Sequence, residues 1–169
     1  TAAPILVQYG PPRTATTFQF QILCASACLK SPDAKCMVCK DEATLGVDIP
    51  VSEIAPGTVC KVHDREKAQE IRDKGGVLFT TEPPGDFVQH FEDVAVRGRS
   101  LVFDYAQILN LTVKEAHQIA TFVRYWEILR RCCGAQMSTD YRHRLFKGSY
   151  NLPTNMIHFR AEDDPSFDA

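Results

Sequence analysis

Four short apolar runs, at residues 5–9, 59–62, 77–81 and 101–103, are separated by stretches long enough to hold a helix, and this alternation limits the fold more than any other feature of the chain. A run of three to five residues cannot be stable as a lone strand. Strands joined by helix-length crossovers pair in parallel, with the helices laid on the faces of the sheet. The first run ends in Gly10-Pro11-Pro12, a break that neither a strand nor a helix continues through. A helix is predicted from there to about Lys30, capped by Thr14 or Thr16, with Phe18, Ile22, Leu23 and residues 25–29 as its apolar surface. Residues 65–74, charged almost throughout, read as a solvated helix stopped by Gly75-Gly76. Thr112 and Glu115 form a capping box that opens a helix over about 113–133. In it Ile119, Phe122, Trp126, Leu129 and Cys133 recur on one face, and Gly134 follows its end. Residues 31–56, broken by Pro32, Pro50 and Pro56, read as loops with one short helix. The expected fold is α/β: a mostly parallel sheet flanked by helices, with a P-loop-like strand-turn-helix at the N-terminus.

A chain of 169 residues is long enough for one domain with a continuous core. We expect that domain over residues 1–150 and an acidic extension over 151–169. The composition, 44% hydrophobic and 24% charged, excludes wholesale disorder and a membrane-embedded bundle. A net charge of −2 provides no global basic field, so nucleic acid is not an expected partner. No transmembrane segment is expected, because no run reaches the roughly 18 to 20 apolar residues that cross a bilayer; peripheral docking to a membrane complex stays open. The start Thr1-Ala2-Ala3-Pro4 lacks the pattern of a signal peptide and an initiator Met, which suits a precursor cut after a targeting segment as well as an edited chain. The odd count of seven Cys suits mostly reduced thiols in a soluble, intracellular setting.

The segment from Gly10 to Thr17 concentrates the chemistry. A turn of this kind, placed between a strand and a helix, aims backbone N–H groups and a helix N-terminus at one point, and hydroxyls plus Arg13 complete an anion cradle. It lacks the Gly-Lys-Ser/Thr ending of a nucleotide-triphosphatase loop. A capped connection with an exposed Arg13 is the other reading. Cys36-Met37-Val38-Cys39 with Cys24 and Cys28 could gather four thiolates on zinc, but the irregular spacing favours small core residues, and no metal is expected. Arg130 and Arg131 either complement the dipole at a helix end or form, with Arg124, Arg142, His143 and Arg144, a basic face for an acidic protein partner.

Pro12-Arg13-Thr14-Ala15-Thr16-Thr17-Phe18 resembles the phosphosulfate-binding loop of sulfotransferases, close to Pro-Lys/Arg-Ser/Thr-Gly-Thr-Thr. Lys61-Val62-His63 is similar to the family's Lys-Thr-His, and residues 101–109 are similar to its strand followed by Tyr-Glu-x-Leu. The resemblance covers about residues 4–134. The string 126–138 is similar to sulfotransferase-like proteins of algae, which keeps an organelle such as a plastid among the expected locations. The resemblance implies a donor site for 3′-phosphoadenosine 5′-phosphosulfate built from Arg13, Thr14, Ala15, Thr16 and Thr17. Arg13 would hold the bridging and sulfonate oxygens, and Thr16 and Thr17 the 5′ phosphate. His63 would be the general base that takes the acceptor hydroxyl proton, while a surface residue at a strand end is the other reading.

The departures from the family pattern matter as much. Where the family places the Arg and Ser that bind the donor's 3′ phosphate, this chain has Glu82 and His90, and Ala15 replaces the loop's Gly, which should hinder a positive φ. Only Lys147-Gly148 is similar to the family's glycine-rich segment near the adenine. The favoured expectation is a degenerate sulfotransferase-like domain, non-catalytic and without a cofactor, that acts as an interaction or structural subunit of a protein assembly. The alternative is an active sulfotransferase, with Arg13 and His63 catalytic and 3′-phosphoadenosine 5′-phosphosulfate as donor.

Overall fold

The computed structural model describes residues 3–11, 15–31, 34–43, 46–121 and 150–151, with backbone alone at Thr17, Cys28, Ala95, Tyr150 and Asn151. The elements are β1 (Leu6–Tyr9), α1 (Thr16–Lys30), β2 (Lys35–Asp41), β3 (Val47–Asp48), β4 (Val59–Val62), α2 (Arg65–Asp73), β5 (Val77–Thr80), β6 (Phe87–Val88), α3 (Phe91–Arg97) and β7 (Tyr150–Asn151). A fourth helical run, α4, covers 113–121. They form an α/β fold. One sheet runs in the order β3-β2-β4-β1-β5-β6, and β7 also pairs with β2. The pairs β1 with β4, β1 with β5, β2 with β4 and β5 with β6 are parallel, whereas β3 and β7 run antiparallel to β2.

Alternation along the central strands divides the core in two. Leu6, Val59 and Phe79 face α1, where Phe18, Phe20, Ile22 and Leu23 cover them together with Tyr105 and Ile119. Val7, Cys60, Val62 and Leu78 face α2, which meets them with Ala68 and Ile71. Each such fully buried aliphatic or aromatic side chain contributes about 1.5–3 kcal/mol of transfer free energy. The stop after α2 has a local cause: Gly75 takes φ 100°, and a Cβ at Gly76 would stand 2.9 Å from the carbonyl oxygen of Ile71. The capping box of α4 forms reciprocally, with Thr112 N donating to Glu115 Oε1 (2.9 Å) and Glu115 N donating to Thr112 Oγ1 (3.1 Å). Phe122, Trp126, Leu129, Cys133 and the basic residues beyond lie outside the described residues. Among the described residues no helix is long and apolar enough to cross a membrane.

Three local expectations are corrected. Residues 31–56 contain a seven-residue strand, β2, with Cys36, Val38, Cys39 and Asp41 buried, the two-residue β3, and a 3₁₀ turn at Val51–Glu53. Its apolar signal was diluted by Lys35, Lys40 and Asp41, which sit at its solvent edge and carboxyl end. The apolar run 101–103 is no strand; it lies in a 3₁₀ stretch (Gly98–Tyr105) that buries Leu101, Val102 and Tyr105, a helix-like spacing hidden in so short a run. Thr16 is the first residue of α1 rather than its cap. The cap position falls on Ala15, in the left-handed region at φ 64° and ψ 34°, with no side-chain cap hydrogen bond.

Candidate functional site

The helices that follow the neighbouring strands β1 and β4 pack on opposite faces of the sheet. The backbone therefore leaves two adjacent carboxyl ends in opposite directions, and in open α/β sheets such a divergence opens the crevice where ligands bind. Gly10 follows β1, Asp41 ends β2, His63 follows β4, and Thr81 and Gln89 follow β5 and β6. Gly10 is required by close approach. A Cβ there would collide with Thr81 Oγ1 and come within 2.8 Å of Thr16 Cγ2, so the start of α1 and the end of β5 meet over a bare α-carbon. Ala15 does take a positive φ, contrary to the expected hindrance, at a steric cost of about 1–2 kcal/mol. Of the cradle expected from the sequence, Ala15 and Thr16 stand at the start of α1 with Thr16 beside Gly10, and the backbone of Thr17 is helical. Arg13, Thr14 and the side chain of Thr17 lie outside the described residues.

His63 is brought to this edge with two charged neighbours. Its side chain is 45% exposed, and Nε2 lies 3.9 Å from Asp41 Oδ2. Partial burial, reinforced by the Lys61 ammonium, holds the imidazole below its ordinary pKa, while Asp41 pulls in the other direction. The backbone N–H of His63 donates to the Lys40 carbonyl (3.0 Å), and Lys40 Nζ pairs with Asp64 (2.9 Å), the residue that caps α2 by accepting from Glu66 N. Beside His63 opens a cleft of about 660 Å³ whose walls include Tyr9, Arg65, Gln69, Leu78 and Pro84. The Arg65 guanidinium covers the Tyr9 ring, 5.1 Å from its centroid.

Beneath the edge runs a buried polar chain that the sequence reading did not identify. Lys61 Nζ donates to Gln8 Oε1 (3.1 Å), Gln8 Nε2 to Gln19 Oε1 (3.0 Å), and Gln19 Nε2 to both the Thr80 carbonyl (3.0 Å) and the Tyr105 hydroxyl (3.1 Å). Tyr105 in turn donates to Gln89 Oε1 at 2.5 Å. Burial pushes the phenol pKa well up, so the hydroxyl remains a donor at any physiological pH. The network ties β4, β1, α1, the 3₁₀ stretch and the residue after β6 into one unit. Polar groups this deeply buried are costly unless they are satisfied, so the chain specifies how these elements meet. The signal available in the sequence was a glutamine in the middle of the apolar run 5–9 and another on the apolar face of α1.

Glu82 and His90, the two departures from the family pattern, are both exposed at the carboxyl edge. Asp86 is occupied elsewhere: Arg72 Nη2 and Nε donate to it at 2.9 and 3.0 Å, and Leu78 N at 2.8 Å, which holds its carboxyl below the ordinary pKa. Two of the seven cysteines, Cys39 and Cys60, form a disulfide that the sequence reading did not pair, with Cα atoms 5.5 Å apart on neighbouring strands. Cys24 and Cys36 are buried. Cys36 packs in the α1-side core and Cys39 in the α2-side core, so the two cysteines of the CxxC point away from each other across the sheet and cannot share an ion. Among the described residues no group of His, Cys, Asp and Glu is placed to hold a metal.

No family model, curated protein or solved structure matches the chain. The functional reading therefore rests on the geometry of the carboxyl edge and on the residues that reach it.

Proposed function

We propose that this chain is a sulfotransferase-like α/β domain that has lost donor chemistry and serves as an interaction subunit of a protein assembly. The observation that carries the reading is the position of Glu82. Its exposed carboxylate directly follows Thr81, whose side chain lies against Gly10 at the mouth of the turn. By the resemblance, Glu82 thus takes the position at which the family holds the donor's 3′ phosphate with a cation. Attraction and repulsion between unit charges a few Å apart are each about 1–4 kcal/mol in partly screened surroundings, so the exchange costs several decades of affinity. On this reading no cofactor is required. A partner protein would be held by exposed anchors such as Phe91, 51% exposed, and Phe103, 40% exposed, rather than by the turn.

The second reading, an active sulfotransferase moving a sulfonate from 3′-phosphoadenosine 5′-phosphosulfate to a hydroxyl acceptor, is favoured by one specific observation. His63 is partly exposed at the cleft with its pKa lowered, so the imidazole is neutral at neutral pH and able to accept a proton. In that case Arg13, Thr14, Ala15, Thr16 and Thr17 would hold the donor. Charge restoration tests the favoured reading. Glu82→Arg combined with His90→Ser should bring 3′-phosphoadenosine 5′-phosphate into measurable binding, through a bidentate guanidinium contact that the parent lacks. Equal binding by parent and variant would remove Glu82 as the cause and overturn the reading.

A further inference from the structure

The Cys39–Cys60 bond joins β2, which ends in Asp41, to β4, which His63 directly follows. Between β2 and β4 the register runs Cys36 to Val59, Met37 to Cys60 and Val38 to Lys61, then jumps to Lys40 opposite Val62. Cys39 is the extra residue of a bulge. Regular pairing would have set Cys39 opposite Val62, and because side chains alternate with period two, a one-residue slip turns every later residue to the other face of the sheet. The bulge therefore decides the direction of Asp41, two residues further on. Bulges of this kind re-aim side chains beside functional sites. Cys39 has no partner in the β2–β4 register; its carbonyl accepts from Ile49 N (2.8 Å) on the other side, and towards β4 the disulfide ties it to Cys60, both residues fully buried.

We propose that the Cys39–Cys60 disulfide is a positioning device: it locks the β2 bulge that aims Asp41 at His63. The role concerns the orientation and charge environment of His63 and holds whether or not the domain transfers sulfonate. The other charged groups around the imidazole are Lys61 on β4, Lys40 on β2, and Asp64, Arg65 and Glu66 at the start of α2, with Tyr9 of β1 across the cleft. Lys40 and Asp64 pair with one another, and Lys61 and Asp41 act in opposite directions on His63.

The test is an NMR titration of the His63 ring in the full chain, its resonance identified by its loss in His63→Gln. Asp41→Asn in the parent should lower the His63 midpoint, because it removes a carboxylate that favours the imidazolium. Cys39→Ala with Cys60→Ala should lower the midpoint in the same direction, and adding Asp41→Asn to that pair should produce no further fall. A structural staple with no positioning role would leave the Asp41 effect intact, so an equal fall on Asp41→Asn in both backgrounds overturns the proposal. If the alanine pair does not fold, Cys39→Val with Cys60→Ala replaces it at closer volume. A parent midpoint unmoved by Asp41→Asn also overturns the proposal, without any cysteine variant. None of these outcomes depends on donor binding, so failure here is separable from failure of the functional reading above.

Discussion

Tyr105→Phe isolates the contribution of the buried polar chain, because the substitution keeps the ring and removes only the hydroxyl. The aromatic packing stays: the ring lies 4.2 Å from Phe87 and 6.2 Å from Phe79, centroid to centroid. Gln19 Nε2 retains the Thr80 carbonyl at 3.0 Å and is not orphaned. Gln89 is affected differently. Its Oε1 loses the 2.5 Å donor, and its Nε2 has no partner among the described residues, so an amide only 2% exposed is left unsatisfied by them. Leaving a buried polar group without its partner costs about 1–3 kcal/mol, so we expect a loss of about 2 kcal/mol. For a domain of this size that lowers the melting temperature by about 4–8 °C. Scanning calorimetry of Tyr105→Phe and of the double variant Tyr105→Phe/Gln89→Leu checks it. The double variant should recover most of the loss, since replacing both partners by apolar groups is close to neutral. A single variant that melts within about 1 °C of the parent would refute the view that this network specifies how the elements meet.

Other expected outcomes follow from single contacts. Ala15→Gly should stabilise the fold by about 0.5–1 kcal/mol in chemical denaturation, as relief at φ 64° exceeds the entropy that glycine adds to the unfolded chain. Removing the disulfide, which joins residues 21 apart in sequence, should cost about 3 kcal/mol in the same assay. Asp86, its pKa lowered from 3.8 by Arg72, contributes stability that is present above that value and lost as the pH falls through its lower folded value. Asp86→Asn should therefore be the less stable protein at pH 7 and should lose less stability than the parent on acidification below about pH 4, read by melting temperature against pH.

Much of the scaffold was legible because its signals are local. The runs 5–9, 59–62 and 77–81 needed only apolar continuity and flanking breakers, and the Thr112/Glu115 box is a four-residue pattern that forms as read. What was missed depends on partners far away in sequence. β2 is a strand because β4 lies beside it, and Lys40 and Asp41 at its carboxyl end hide the apolar alternation that marks its start. The left-handed Ala15 could not be read from residue preference, which disfavours φ 64° for a residue with a Cβ. The Cys39–Cys60 pairing depends on strand order, which spacing does not encode. At the site, His63 was legible from a short motif, but its neighbour Asp41 arrives from another strand through a bulge, and no sequence pattern announces it.

Isothermal titration of the unmodified chain with 3′-phosphoadenosine 5′-phosphate tests the loss of donor chemistry most directly. The ligand offers the 3′ phosphate that the exposed Glu82 carboxylate should repel and the 5′ phosphate that the turn before α1 should cradle. No heat of binding is expected at micromolar ligand concentrations. Saturable micromolar binding, abolished by Arg13→Ala, would contradict the non-catalytic reading and make Arg13 and His63 the residues to test for sulfonate transfer.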